Sequence, residues 1–365
     1  MGKQGEIGDT TRRTVTLQDV AERCGVAKIT VSYALRPDTG HVSASTRARI
    51  QAIAREMGYN PAQQHAARRL RMQGTQRKVI NHVVALFLAA DDYDGPHFGP
   101  LFRGIQQTLL ADRFALLVCN SDGVLLGTRT DLPLAFERGD VDGAIIYCTH
   151  PELARHLHEA PWFQQRPLVS LLSPSPGCAT VQLDNTAGAF AVTRHLLALG
   201  HRHLLHHYPA GAYAIADERL AGMRRAYEEF ALDPDVYLHF VYYSSMEDPA
   251  QGAAVLDTLR YHPEITAVVA QHDYAAVRLY HLLRSAGLRI PEDISLTGFE
   301  DTHAIAGSNG ANLLTTVRAP LYEVGLQAAR LIIEQITGMP DADVTITLPV
   351  ECIKRSTTAP PSCHC

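Results

Sequence analysis

The sequence predicts a small all-helical head with a hinge, followed by a two-lobed α/β body built on two doubly wound parallel sheets. Three observations carry that prediction. The stretch 16–35, TLQDVAERCGVAKITVSYAL, has the apolar spacing of two short helices around a tight turn. From residue 79 onward, continuous apolar runs alternate with helical stretches, the pattern of parallel strands covered on both faces. Charge is divided between the two parts: residues 1–78 hold fourteen Lys and Arg against six Asp and Glu, and the other 287 hold nineteen against thirty-two. A head of net +8 on a body of net −13 is what a polyanion-binding module with a separate regulatory domain shows.

Taken in order, residues 1–14 are polar and carry Arg12 and Arg13. Thr16 caps the first helix, with Asp19 three residues on where an acidic group meets a helix N-terminus. Leu17, Val20, Ala21 and Cys24 give it one apolar face, and Gly25 supplies the turn. The second helix, over 28–35, buries Val31, Ala34 and Leu35 and leaves Lys28, Ile29, Ser32 and Tyr33 outward. An apolar group and an aromatic ring beside a lysine make poor sense on a solvated face. They make better sense in a major groove, where a methyl or ring edge meets thymine and a lysine meets guanine or phosphate. Ser43 is the expected cap of a third helix, whose Ile50, Ile53, Ala54 and Met57 close the core. After Tyr59-Asn60-Pro61 comes AQQHAARRLRMQGTQRK, which has helix propensity but no wide apolar stripe. Arg68, Arg69 and Arg71 flank the lone Leu70, as in a segment that folds only against a twin and a phosphate backbone.

Residues 16–71 resemble the DNA-binding head and hinge of the lactose-repressor (LacI/GalR) family, on the stretches TLQDVAERCGV, TVSYAL, HVSASTRARI, GYNP and AARRL. The resemblance implies that Lys28, Ile29 and Tyr33 read bases, that Thr30, Ser32, His41 and Ser43 hold phosphates, and that Leu70 wedges into the minor groove. Thr16 and Arg68 join the expected DNA-contacting set. Departures from the family pattern are Ala27 for a capping serine, Tyr33 for a base-reading arginine, and a 61–70 spacing two positions longer than usual. They bear on operator sequence and half-site spacing.

In the body, strands are expected at 83–88, 115–119, 143–147, 168–172, 204–207, 236–242, 267–270 and 294–298. Helices are expected at 101–112, 186–200, 217–230, 249–261 and 274–287. A Pro/Gly break at 174–177 divides the two lobes, and ligands in such sheets sit beyond the carboxyl ends of the strands. The family resemblance continues through GHRHLL, DERLAGMRRAYEEF, AGLRIPEDISLTGFED, LLTTVRAP and TLPVECIKRSTTAP, and implies a periplasmic-binding-protein-like effector core. In that fold the chain crosses between lobes three times, so the helix near 322–337 returns to the first lobe and the strand near 344–349 belongs to the second. The expected division is a head at 15–60, a hinge helix and linker at 61–77, a first lobe at 78–175 plus 318–341, a second at 176–317 plus 342–355, and a tail at 356–365.

Arg219 opens a helix after the loop 213–218, where a guanidinium aimed into the cleft can fork onto ligand hydroxyls or a carboxylate; it matches the family's ligand-binding arginine, with a surface salt bridge to Asp217 or Glu218 as the other reading. Glu300, at the end of ISLTGF, matches a family carboxylate that accepts hydroxyls. His272 and Asp273 end the strand at 267–270 in the same manner, with a plain helix cap as the other reading of Asp273. Asp91, His97 and Phe98 fall in the first strand-to-helix loop, where the family places polar and aromatic contacts. His206 and His207 either face the cleft or sit in the core with satisfied hydrogen bonds, and Leu172 stands where many relatives carry a sugar-binding aspartate.

The resemblance thus implies a ligand-responsive, DNA-binding transcriptional regulator of the bacterial cytoplasm and nucleoid. It would be a repressor on a pseudo-palindromic operator of double-stranded DNA, with a sugar or related polar metabolite as effector. A solute-binding protein shares the two-lobed body but needs an export signal and has no use for a basic head. No Gly-rich phosphate loop, metal-ligand spacing or nucleophile–base arrangement stands out, so no enzyme, cofactor or metal is expected. The seven cysteines read as reduced thiols, Cys363-His364-Cys365 as a frayed tail, and no apolar run approaches membrane-spanning length. Without a leucine heptad after 354–355, the expected assembly is a homodimer.

Overall fold

Three helices, α1 (Leu17–Cys24), α2 (Lys28–Ala34) and α3 (Ala44–Glu56), form the head in a computed structural model of the chain. The structure describes residues 15–35, 42–59, 80–89, 97–121, 133–147, 159, 166–175, 177–210, 214–243, 249–338 and 344–362. The expected hinge at 61–77 with Arg68 and Leu70, and also His41, Asp91 and the 363–365 tail, lie outside the described residues. Thr16 and Asp19 make a reciprocal capping box: Thr16 Oγ1 accepts from the Asp19 amide at 3.2 Å, and Asp19 Oδ2 accepts from the Thr16 amide at 2.7 Å. Gly25 ends α1 in the left-handed region at φ +65°, and Val26 turns back onto the core. Ala27 gives α2 no side-chain cap, whereas Ser43 Oγ caps α3 by accepting from the Thr46 amide at 3.3 Å. Val20, Val31, Ala34 and Ile50 are fully buried in the cluster the three helices share. Arg47 and Gln51 donate to the Ala34 carbonyl at 3.3 and 3.1 Å, and Arg49 donates to that of Cys24 at 3.2 Å. Part of the head's positive charge is therefore spent on helix C-termini, where cations are favoured.

The second unit, Ile80–Cys365, is built on two parallel sheets. The first has the order β11-β5-β4-β3-β1-β2, with β1 (Val83–Leu88) between the edge strand β2 (Ala115–Asn120) and β3 (Gly143–Tyr147), followed by β4 (Leu168–Leu171), β5 (Ala179–Leu183) and β11 (Thr345–Leu348). Strand β1 is buried on both faces. Val84, Leu86 and Leu88 enter one cluster with α4 (Phe98–Ala111) and α11 (Leu321–Thr337), while Ala85 and Phe87 enter another with Phe136 of the short α5 (Leu134–Glu137). Helices α4 and α11 cross at backbone contact: a Cβ on Gly104 would collide with the Tyr322 carbonyl, and one on Gly325 with that of Leu101.

The second sheet runs β7-β6-β8-β9, from β6 (His203–Pro209), β7 (Leu238–Tyr243), β8 (Ile265–Ala270) and β9 (Ser295–Thr297). On one face lie α6 (Asn185–Ala198) and α7 (Ala214–Glu229), and on the other α9 (Pro249–Tyr261) and α10 (Asp273–Ser285). A helical turn, α8 (Pro234–Tyr237), precedes β7 where the sequence predicts strand from 236. Parallel bridges at Thr297–Thr315 and Glu300–Arg318 tie β9 to an antiparallel ribbon of β10 (Thr316–Arg318) and β12 (Glu351–Ile353).

Two expectations about the lobes are corrected. Strand β5 lies beyond the 174–177 break yet pairs in parallel with β4, so the first sheet continues to Leu183. The strand near 344–349 joins the first sheet and not the second. Strand β5 presents a free edge, and Thr345–Leu348 adds to it in register with Thr180–Leu183. Alternate exposure along β11, with Ile346 and Leu348 packed on the first core, is that of an edge strand. Only after Val350, packed with Phe299 and Val317, does the chain return to the β10 ribbon beside the second sheet through β12. Among the described residues no helix is long and apolar enough to cross a membrane, and Cys24, Cys119, Cys178 and Cys352 are free thiols.

Candidate functional site

On the head, α2 buries Val31 and Ala34 and turns Lys28 and Ile29 outward, Ile29 being 60% exposed. Thr30, Ser32 and Tyr33 are half-buried around that face, and Ser43 stands exposed at the start of α3. The hydroxyls of Thr16 and Ser43 already serve as helix caps, so any phosphate bond they make is additional to a structural one. Ile29 takes no part in the head's hydrophobic cluster.

In the body, a cavity of about 300 Å³ lies where the carboxyl ends of both sheets meet. One wall is apolar, from Leu172, Leu183, Pro209, Ile215 and Leu321, with the Tyr243 ring beside them. The polar wall is His97, Asn185, Arg219, Gln271, His272 and Glu300. The chain positions each of these by a strand end or a helix start. His97 immediately precedes α4, Asn185 opens α6, Arg219 lies in the second turn of α7, Gln271 and His272 follow β8, and Glu300 follows β9.

Arg219 is the hub. Its Nε donates to Asn185 Oδ1 at 3.1 Å, Nη1 donates to the Gln271 carbonyl, and Nη2 lies 3.8 Å from Glu300 Oε1. The guanidinium carbon stacks 3.7 Å from the Phe299 ring centroid. Asn185 is fixed in turn by donating to Glu218 Oε2 at 2.9 Å. Burial pulls the Arg219 pKa below its usual value, opposed chiefly by the Glu300 carboxylate.

Glu300 meets His97 directly across the cleft, Nε2 to Oε2, joining a residue of the first lobe to one of the second. Burial pushes the Glu300 carboxyl up, but the His97 hydrogen bond and the charges of His97, Arg219 and His272 outweigh it and hold the pKa at about 2. Burial likewise disfavours a charged His97, and Glu300 overcomes it to leave the imidazole pKa raised. The Glu300 backbone is at φ +108° and that of Asp301 at +58°, two consecutive non-glycine residues in left-handed territory. Such conformations cost about 1–3 kcal/mol each and persist where surrounding contacts over-determine them. Here Arg318 Nε and Arg355 Nη2 grip the Asp301 carboxylate at 2.9 and 2.8 Å.

His272 Nδ1 accepts from the Ala275 amide at 3.1 Å and so caps α10. Its lone pair is committed there, and burial lowers the pKa, so the neutral ring carries its proton on Nε2. Gln271 is buried with Oε1 unpartnered, leaving an acceptor beside the cavity.

Two expected ligand groups sit elsewhere. Asp273 is fully buried and does not line the cavity: Oδ1 accepts from Thr316 Oγ1 at 2.5 Å and Oδ2 from the Thr302 amide at 2.9 Å, tying α10 to the segment that leads into β10. Phe98 packs on the first-sheet core against Phe102, with centroids 5.1 Å apart. His206 and His207 are both 1% exposed. His206 Nδ1 donates to the Val269 carbonyl at 3.0 Å, His207 Nε2 donates to Gln251 Oε1 at 3.2 Å, and burial holds both pKa values near about 4. They are neutral core histidines. On the polar wall, Asn185 and Gln271 are the residues that sequence reasoning missed. Gln271 adjoins His272 at a strand end and was within reach, whereas Asn185 was hidden by the unrecognised β5.

Residues 16–62 match the model of the bacterial regulatory proteins of the lacI family, and residues 193–358 match a periplasmic binding protein-like domain. The HTH-type transcriptional regulator DegA of Bacillus subtilis is 29% identical over 350 residues, 94% of this chain and 98% of DegA. A LacI-family regulator of Enterococcus faecium, solved with bound ribose, superposes with a TM-score of 0.62 at 26% identity over 76% of this chain and 99% of that one. The lac repressor dimer bound to operator and the anti-inducer ONPF shares the fold, with a TM-score of 0.66 at 22% identity over 95% of this chain and 100% of that one. Head and core are thus matched in the expected order: the chain carries a lacI-family regulatory head followed by a periplasmic binding protein-like core.

Proposed function

We propose that this protein is a ligand-responsive transcriptional regulator, a repressor that binds a pseudo-palindromic operator as a homodimer in the cytoplasm and performs no catalysis. The observation that carries the reading is the pairing, in one chain, of an outward Lys28–Ile29–Tyr33 helix face with a cavity walled by both sheets. The regulators among its relatives support the same assignment. A cavity of about 300 Å³ with one apolar wall and a cluster of fixed donors and acceptors suits a monosaccharide-sized polyol. Ribose in the Enterococcus faecium relative supports that class. Glu300 and Gln271 Oε1 accept from ligand hydroxyls, and Arg219 and His272 donate to ligand oxygens. Leu172 puts an apolar group where an additional acceptor is common in the family, so a ligand with a bare or deoxygenated edge fits that side.

Effector acts by binding one interlobe arrangement better than another, and the operator affinity shifts only by that difference, about 1–3 kcal/mol in typical couplings. The test is a panel of pentoses, hexoses, sugar acids and nucleosides screened by thermal shift, followed by operator-binding anisotropy with each hit. One chemical class should raise Tm and change operator affinity about 5–150-fold. A protein that binds no duplex of any sequence at low salt would overturn the reading.

A further inference from the structure

The second sheet carries a polar cluster at the end of its strands remote from the cavity. His203 opens β6, His239 is the second residue of β7, and Glu264 immediately precedes β8. The same three strands reach the cavity at their other ends through Pro209, Tyr243 and Gln271, roughly 20 Å away at the usual rise per residue. The register pairs His239 with Leu205, two residues from His203, so both imidazoles stand on one face of the sheet. His203 Nδ1 and His239 Nε2 are 3.1 Å apart, and one ligand atom each of His203, His239 and Glu264 lie within 4.8 Å of one another. The β6–β8 register slips between His203 and Leu204, an irregularity that re-aims side chains at a strand end. His262 hydrogen-bonds Glu264 Oε1 at 3.0 Å and sets its ring 4.8 Å from that of His239, orienting the carboxylate from behind.

We propose that His203, His239 and Glu264 form a site for a divalent first-row transition cation that ties together the leading ends of β6, β7 and β8. Two nitrogens bound tetrahedrally at about 2.0–2.1 Å stand about 3.3 Å apart, close to the separation here. Imidazole donors select this class over Mg²⁺ and Ca²⁺, which take all-oxygen sets, and the lack of thiolate disfavours Cu(I). His203 and His239 are half-buried while Glu264 and His262 are exposed, so the site opens to solvent on one side and water completes the coordination. The ligands come from three separate stretches, which is why no motif announces them. This site is independent of the effector reading.

The experiment titrates Zn²⁺ calorimetrically into full-length, chelator-treated protein in a C363S/C365S background, so that terminal thiols take no part. Co²⁺ absorption reports geometry, and Mg²⁺ is the negative control. One equivalent of Zn²⁺ should bind with a rise in Tm. His239→Ala and the surface change Glu264→Gln should each weaken uptake at least about tenfold, by analogy with lesser, outer-shell changes, while His281→Ala leaves it unaltered. Absence of stoichiometric Zn²⁺ uptake, or uptake indifferent to Glu264→Gln and His239→Ala alike, would reduce the cluster to a hydrogen-bonded imidazole pair and overturn the proposal.

Discussion

Changing Arg219 to Met and Glu300 to Gln, singly and together, tests whether the polar wall works as one unit. The two charges stand 3.8 Å apart with side chains only 7% and 14% exposed. At an effective dielectric of about 20 their attraction is about 4 kcal/mol. Desolvation of two ions costs several kcal/mol each and offsets most of that gain. The consequence is asymmetric. Glu300→Gln leaves the guanidinium buried among neutral acceptors, Asn185 Oδ1 and the Gln271 carbonyl, and should destabilise the body by about 3–5 kcal/mol. Arg219→Met leaves Glu300 with His97 as partner, so about 1.5–3 kcal/mol should be lost, the worth of a charged hydrogen bond. The double variant strands neither charge on the other's account and should recover about 1–3 kcal/mol of the summed loss. Urea unfolding of the full chain, followed by circular dichroism, supplies the four midpoints. Losses that add to within about 0.5 kcal/mol would show that Arg219 and Glu300 are not a pair, and the reasoning built on them would fall.

Two other outcomes are expected. Ile29→Ala and Tyr33→Ala should alter which bases are preferred, by about 1–3 kcal/mol per contact, in a binding selection, whereas a uniform loss across all duplexes would move those residues to phosphate contact. The His97–Glu300 pair makes stability pH-dependent with a defined sign. His97, raised from 6.5, contributes in full below that value, and its contribution is lost as pH rises through the folded pKa. Glu300, lowered from 4.5 to about 2, contributes above 4.5 and is lost only as pH falls through about 2. Asp273, raised from 3.8 to about 7 chiefly by burial, also favours unfolding as pH climbs through that range, so a D273N background removes that contribution. The buried neutral His206 and His207, lowered to about 4, take up protons only on unfolding and so raise stability with pH over the same range, which makes the pair readable by difference. In D273N, the unfolding free energy lost by His97→Gln should shrink from pH 5.5 to 8.5; a loss that does not change with pH would refute the linkage.

The head was legible because its information is local. The capping box, Gly25, and the alternation of Val31 and Ala34 against Ile29 are all written within twenty residues. The body's buried strands were legible for a related reason: runs such as Val83–Leu88 are apolar on both faces and have no other use. What failed was pairing. Strand β5 reads Ala-Thr-Val-Gln-Leu, short and half polar, directly after a Pro/Gly turn, and nothing in it says which sheet it extends. Once it was missed, the partner of β11 was necessarily misassigned, because an edge strand has no hydrophobic signature of its own. The same ambiguity affected site residues. At Gln271-His272-Asp273 the sequence offers three polar groups at one strand end, and an aspartate is the natural cap candidate. The fold gives the cap to His272 and spends Asp273 on Thr302 and Thr316, contacts from residues at least 29 positions away.

The two lobes are joined at the cavity by residues 203 positions apart, since His97 and Glu300 satisfy one another across the cleft. That contact sets a condition on any effector. A ligand entering between them must offer an acceptor to His97 and a donor to Glu300, or the two buried groups are left unpaired at about 1–3 kcal/mol each. A hydroxyl does both at once, which an ether, a halide or a carboxylate cannot. A vicinal diol could bridge the pair while a second oxygen reaches Arg219, so closure would be preserved with the ligand as its keystone. A carboxylate would be drawn to Arg219 but repelled by Glu300, which the His97 hydrogen bond and the neighbouring cations keep ionised at neutral pH against the effect of burial. On the proposed reading the polar wall therefore discriminates by charge before it discriminates by shape: neutral polyols should bind more tightly than anionic sugars of the same size.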